Sequence, residues 1–273
     1  MRRLLVVADD LGLTAGVNAG IASAFRDGIL TSASLLTNTV HFEKTLELVP
    51  RLSGLKIGVH LSLVGGAPLL PPGEIPSLVD RQGSFRSSWR RFVPAWGAGR
   101  VRADEVRSEW RAQIARAVQA GIRPTHLDSH QHLHVLPDLW RVTLGLAREF
   151  GIPRIRFPRE TGPVPPGTPL SRRLVRRALA ALRPTLPPAD PIHACDYCFG
   201  IARTGCLDLP ALLAVLRNLP EGDSELITHP GTPDEELLRD YPWGYRWAEE
   251  TRALSSEEAK REVTQLGVLL QRG

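Results

Sequence analysis

Residues 1–14 read MRRLLVVADDLGLT. An apolar run, 4–8, leads straight into two adjacent carboxylates, Asp9 and Asp10. A short continuous apolar run of this kind reads as a buried strand. Acid pairs are ordinary in loops, where water solvates them. At the tip of a core strand they repel each other and lose hydration. A bound cation at that strand end is the compensation the pair asks for.

Working outward, short apolar stretches alternate with longer helical patterns. Strands are predicted at 4–8, 32–36, 57–61, 126–128, 154–157 and 226–229. Helices are predicted at 15–27, 43–51, 104–120, 137–150, 171–182, 209–219 and 255–269, the last with a capping-box pattern, Ser255 and Glu258. This alternation predicts an α/β fold of parallel strands covered by helices. The chain has 273 residues, 42% of them hydrophobic, enough for two small domains or one α/β barrel. No fixed-period repeat and no dividing linker is present, which favours a single domain, 1–273. Two stretches break the rhythm: 65–99, rich in Gly and Pro and carrying Trp89 and Trp96, and 161–169, rich in Pro and Gly. Both read as insertions over one end of a barrel, where substrate-binding loops usually lie.

The formal charge of +5 comes from basic residues that are nearly all Arg, with Lys only at 44, 56 and 260. They are scattered, with no basic stripe interleaved with aromatics, so no nucleic-acid path is expected. Arg172, Arg173, Arg176 and Arg177 fall at helical spacing and read as a solvated helix face. Cys195 and Cys198 form a CxxC, but with Cys206 as the third cysteine no second pair completes a zinc ribbon. A redox pair is the alternative; buried structural thiols in a reducing compartment are the expectation. No stretch reads as a signal peptide or a membrane span, so a soluble cytoplasmic protein is expected, with no membrane insertion. A homo-oligomer is left open.

Polar residues recur at the strand ends. The third strand carries His60 in KIGVHLSL, the fourth runs into THLDSHQHLH (125–134), and the late ELITHPG places His229 before Pro230. Taken singly, His60 is an ordinary core histidine and His229 an ordinary turn residue. Jointly, four strand ends carry Asp or His, and in parallel α/β folds sites form at the carboxyl ends of strands. In THLDSHQHLH, His126, Asp128, His130, His132 and His134 occupy even positions, so an extended segment would have one ligand-rich side. Imidazoles plus carboxylate suit Zn²⁺ or a related divalent ion, which lowers the pKa of its bound water. Parity alone leaves open which of these His bind. Two adjacent Asp can divide the work, one ligating and one accepting the proton.

These stretches, with ADDLGLTAGVNAGI, GILTSASLLTN, IGVHLSL, PTHLDSHQHLHVLPDL, RIRFPRE, FGIARTG and ELITHPG spread from the first strand to Gly231, resemble the YdjC-type carbohydrate deacetylases, the group that includes chitooligosaccharide and hopanoid-biosynthesis-associated deacetylases. The resemblance implies a distorted TIM-like β/α barrel and removal of an acetyl group from an N-acetylated sugar with one divalent metal ion, Mg²⁺ or Zn²⁺. It assigns Asp10, His60 and His130 to the metal and Asp9 to the general-base position. His229 falls where a residue assists as acid or orients the substrate. Asp128 would orient a neighbouring imidazole, while His126, His132 and His134 are left as supporting or substrate-contacting residues. Leu11 stands where many relatives carry Phe. Trp89 and Trp96 are read either as sugar-stacking surfaces or as anchors packing the insertion onto the barrel. Three rivals remain at this point. A two-metal phosphoesterase would use the spare histidines. A non-catalytic sugar-binding barrel would have lost the base or a ligand, and a metal-storage module would not need the scaffold.

Overall fold

A computed structural model describes residues 1–160, 162–165, 167–182, 185–186 and 190–271. The chain order is β1 (Arg2–Leu11), α1 (Ala15–Arg26), β2 (Ser32–Leu35), α2 (Phe42–Leu48), β3 (Lys56–Leu61), α3 (Trp89–Gly97), α4 (Ala103–Gln119), β4 (Leu127–Ser129) and α5 (Leu139–Glu149). It continues α6 (Leu170–Ala181), β5 (Tyr197–Phe199), α7 (Leu209–Arg217), β6 (Gly222–Thr228), α8 (Glu235–Asp240), α9 (Trp247–Leu254), α10 (Glu257–Gln265) and β7 (Leu269–Leu270).

The apolar run after Arg3 makes β1 the centre of the sheet, buried from Leu4 to Leu11. The strands are parallel in the order β4-β3-β2-β1-β6-β5. β7 pairs with the start of β1, at Arg3 and Leu4, before β2 joins it at Val7. This is an α/β fold whose sheet curls into a half-barrel. Single bridges, Leu127 with Ile155 and Glu160 with Cys198, span the gap between β4 and β5. The predicted strand 154–157 lies in that gap and makes bridges without a ladder. Pro153 and Pro158 flank it and cannot donate to a ladder.

Helices form where caps allow. Thr14 accepts from the Val17 N–H to start α1, and Asp208 from Ala211 to start α7. The predicted helix 255–269 is shorter: Ser256, not Ser255, caps α10, because Ser255 still closes α9. α3, β5, α8, α9 and β7 are additional to the sequence reading. The insertion 65–99 is ordered and contains α3. Ile75, Leu78, Phe85 and Phe92 from it are buried in the main core. Trp96 packs against the main core and stacks on Phe92 with ring centroids 6.5 Å apart, so it anchors the insertion, whereas Trp89 is exposed. Of the second insertion, Thr161 and Pro166 lie outside the described residues. Among the described residues no helix is long and apolar enough to cross a membrane.

Candidate metal centre

The end of β1 is irregular where the carboxylates stand. Its register with β2 steps three residues, Ala8 to Leu11, against two, Ala33 to Leu35. The extra residue is a bulge, and Asp10 takes φ of 67°, a left-handed conformation that Asp tolerates better than most residues. A regular strand would send Asp9 and Asp10 to opposite faces. The bulge turns both into the mouth of the half-barrel, where both are buried.

Asp10 meets two imidazoles there. Its Oδ1 lies 3.0 Å from Nδ1 of His130 and 3.5 Å from Nε2 of His60. Ligand atoms of the three residues all lie within 4.8 Å of one another. Burial opposes the Asp10 charge, but His130, His60 and His229 outweigh it and hold the carboxyl well below its ordinary range. His60 comes from β3, and its Nδ1 is 2.7 Å from Asp128 Oδ1 on the adjacent β4. That contact fixes the ring and leaves Nε2 turned toward Asp10. His130 begins the 3₁₀ turn His130–Val135, in which Gln131 and His132 both have positive φ. The segment THLDSHQHLH is therefore not extended beyond Ser129, and parity does not decide its roles.

The donors fit a metal: two imidazoles and a carboxylate on three different strand ends, with the second nitrogen of His60 already engaged by a carboxylate. A second group, Asp9, His60 and Asp128, also clusters, but it already holds a cation. Arg156 donates to both oxygens of Asp9 at 2.7 and 2.8 Å. It also reaches Asp128 at 2.7 Å and Glu225 at 2.6 Å. Arg156 as a whole is 1% exposed. Burial disfavours its charge, yet Asp128, Asp9 and Glu225 push its pKa well above the ordinary value.

The other histidines separate by position. His126 lies within hydrogen-bond distance of Ser34 and Thr125, and Ser34 in turn donates to Asp128. His134 contacts Ser129 and the Arg156 carbonyl. Burial lowers the pKa of His126 and of His134 to about 4. Both are neutral supports of the strand ends. Nδ1 of His132 is buried without a hydrogen-bond partner among the described residues.

His229 follows β6. Glu250 accepts from its backbone N–H at 2.6 Å and from that of Leu207 at 3.0 Å, so α9 pins the end of β6. The His229 ring is buried, its Nδ1 has no partner among the described residues, and burial lowers its pKa. The ring packs edge-on against Tyr245 at 5.1 Å. Tyr245 belongs to a run, YPWGYRW (241–247), whose aromatic side chains, at 241, 243, 245 and 247, pack against one another. Trp243 also lies 5.4 Å from His130.

Sequence reasoning brought together Asp9, Asp10, His60, Asp128, His130 and His229. It assigned no role to Arg156, Glu225, Glu250 or the aromatic run. Signals were present: Arg156 alternates with Ile155 and Phe157 in a predicted strand, and the aromatics recur at every second residue of 241–247.

Relatives agree with this architecture. A carbohydrate deacetylase of Thermoanaerobacter pseudethanolicus is 30% identical over 96% of this chain and 89% of its own. A Brevibacillus brevis carbohydrate deacetylase is 39% identical over 57% of this chain, and a Yersinia pestis chitooligosaccharide deacetylase 37% over 56%. In both of these the match spans 59% of the relative's length. Among solved structures, an Enterococcus faecalis V583 protein provisionally assigned to cellobiose-phosphate cleavage superposes with a TM-score of 0.77. It is 28% identical, with 98% of this chain and 96% of that one covered. The profile of the YdjC-like protein family matches residues 3–265, so the chain belongs to that family.

Proposed function

We propose that the protein is a metal-dependent carbohydrate deacetylase that hydrolyses an N-acetylated sugar to acetate and the free amine. The observation that carries this reading is the convergence of Asp10, His60 and His130 beside an Asp9 fixed on both oxygens by a buried arginine. The names of the relatives point to the same chemistry. In this reading the chain is one domain, with 65–99 and the described residues of 161–169 as its cover.

Asp10, His60 and His130 would hold one divalent ion. Two nitrogen donors favour Zn²⁺ or a similar first-row ion over Mg²⁺, which prefers oxygen. When bound, such an ion supplies Lewis acidity to the acetyl carbonyl and lowers the pKa of water from about 15.7 towards ~7. Asp9 accepts the proton that water sheds as it adds to the carbonyl carbon. A carboxylate offers about four acceptor sites, and Arg156 uses two of them, so capacity remains. The guanidinium also keeps Asp9 from swinging toward the cation. His229 meets the substrate as a neutral imidazole, so it orients the amide rather than donating a proton at the outset. Asp9, having gained a proton, then delivers it to the departing nitrogen as the C–N bond breaks.

Arg156 also bears on the phosphoesterase alternative. A two-metal site needs a second cation about 3.5–4 Å from the first, and Arg156 already occupies the carboxylates of the second group. One bound ion per chain is expected. Incubation of metal-loaded protein with N-acetylglucosamine, diacetylchitobiose and longer oligomers, following acetate and amine together, tests the reading. Equal release of both that stops on chelation is the expected result. Cleavage of phosphate esters with no acetate from any N-acetylated glycan would replace it.

A further inference from the structure

Helix α6, LSRRLVRRALAA, departs from the usual build of a surface helix. An ordinary one turns its apolar stripe to the core and its charges to water. Here two of the four arginines that read as one solvated face point inward. Arg176 is 9% exposed, pairs with Glu160 at 3.1 Å and donates to the Gly162 carbonyl at 2.5 Å. Glu160 in turn accepts from the Gly200 and Ala202 N–H groups. Arg172 donates to the Thr204 carbonyl, and Leu179 packs beside Cys198, Ile201 and Ile227. These contacts fix the rotation of the helix about its axis. The outer side is then Leu170, Arg173, Leu174, Arg177, Ala178 and Ala181, all exposed and spaced as one face of a helix. Leu170 is 71% exposed and Leu174, one turn on, 56%.

We infer that this outer face of α6 docks peripherally on an anionic membrane surface, with Leu170 and Leu174 entering the headgroup boundary and Arg173 and Arg177 meeting lipid phosphates. Charge complementarity selects the occupant. Between Glu160 and Asp190 the chain carries five arginines and no Asp or Glu. Arg173 donates to the Thr168 carbonyl at 2.9 Å, and neither it nor Arg177 meets a carboxylate among the described residues. A second copy seated on the same face would set these arginines against their own counterparts. A nucleic acid would neutralise the arginines and leave both leucines in water. An anionic leaflet takes both kinds of side chain at once: leucines at the acyl boundary, and guanidiniums reaching up to the phosphates on their apolar stems. The docking needs no membrane-crossing segment. It is independent of the deacetylase reading, because α6 contributes no residue to the candidate metal centre.

The test is co-sedimentation of the full chain with vesicles of phosphatidylcholine alone and of phosphatidylcholine mixed with phosphatidylglycerol, at low and high salt. Three double variants are compared: Arg173→Gln with Arg177→Gln, Leu170→Ser with Leu174→Ser, and Arg90→Gln with Arg91→Gln. The last removes the same charge from exposed positions on α3. All these side chains are on the surface, so thermal unfolding should match the wild type. The wild type is expected to partition onto the anionic vesicles at least ~10-fold better than onto the neutral ones, and less well at high salt. Both α6 variants should lose at least ~10-fold of that partition, whereas the α3 variant should keep most of it. In Leu170→Trp with vesicles, indole emission should shift to the blue. A wild type that binds neither vesicle, or both equally, would overturn the inference. So would an equal loss in the α3 variant, which would mean adsorption through net charge, or full binding after the leucines are replaced. Binding of polyglutamate that depends on Arg173 and Arg177, with no vesicle binding, would overturn it in favour of an acidic protein partner.

Discussion

At the residue scale the question is how two neighbouring aspartates come to differ. Asp9 and Asp10 are both almost fully buried, yet one faces a guanidinium and the other faces imidazoles. Asp10 in the left-handed region carries backbone strain of order 1–3 kcal/mol, which the ladder before the bulge and the Leu11–Leu35 pair after it sustain. The prediction is that Asp9→Asn and Asp10→Asn fail differently. Asn keeps the size of Asp and tolerates positive φ, so both variants should fold. Asp9→Asn cannot take a proton from water and should lose ~10²–10⁴-fold in kcat with metal affinity close to wild type. Asp10→Asn removes a charged ligand, so its metal affinity should fall and excess ion should restore part of its rate. Metal competition and single-turnover acetate release distinguish the two. Equal metal loss and equal rescue in both variants would refute the division.

At the element scale the site depends on how closely α1 approaches the loop after β6. A Cβ on Gly20 would lie 2.3 Å from the backbone of Gly231, two residues beyond His229. The same loop is tied to α1 through Thr232 N–H to Gly16 carbonyl at 2.8 Å and to α9 through Thr251. Gly20→Ala should therefore destabilise the fold by ~1–3 kcal/mol through overpacking against rigid backbone, and it should impair turnover more than metal binding, because His229 moves and Asp10 does not. Denaturant unfolding and metal titration of the same variant check this; an unchanged midpoint would show that the loop can retreat. Gly20 stands in the motif ADDLGLTAGVNAGI, so its presence was legible but its contact, more than 200 residues away in the chain, was not. The same distinction runs through the elements. β1, β2, β3 and the major helices were readable because their apolar runs and periods are local. The 3₁₀ turn after Ser129 was not, because Gln131 and His132 are held at positive φ by the surroundings rather than by propensity. β5 and β7 are too short to carry a period, and they exist because neighbours complete them. Arg156 escaped notice as a site residue because an arginine in a strand has meaning only once the three carboxylates around it, from β1, β4 and β6, are known.

At the scale of the whole molecule, the centre links proton binding, metal binding and stability. Burial opposes a charge on His60, but the carboxylates of Asp128, Asp9 and Asp10 push its pKa to about 9, above the ordinary 6.5. In the metal-free protein His60 is then an imidazolium near neutral pH, and its charge stabilises the native state. That contribution is complete below pH 6.5 and is lost as pH rises through about 9. A metal ligand must be the neutral imidazole, so binding displaces this proton and apparent affinity should rise up to ~10-fold per pH unit until about pH 9. The two trends run in opposite directions: the metal-free protein weakens across this window while the gain from metal grows. An ion at one hundred times its Kd stabilises by about 2.7 kcal/mol. At ~2–4 °C per kcal/mol for proteins of roughly this size, that is a rise of ~5–10 °C in Tm. Thermal unfolding at a fixed Zn²⁺ concentration, repeated between about pH 6.5 and pH 9, should show a metal-induced shift that widens with pH. The shift should saturate at one ion per chain, because Arg156 fills the second carboxylate group, and it should shrink sharply in Asp10→Asn. A shift that is constant with pH, or the same in Asp10→Asn as in the wild type, would place the ion elsewhere than on Asp10, His60 and His130.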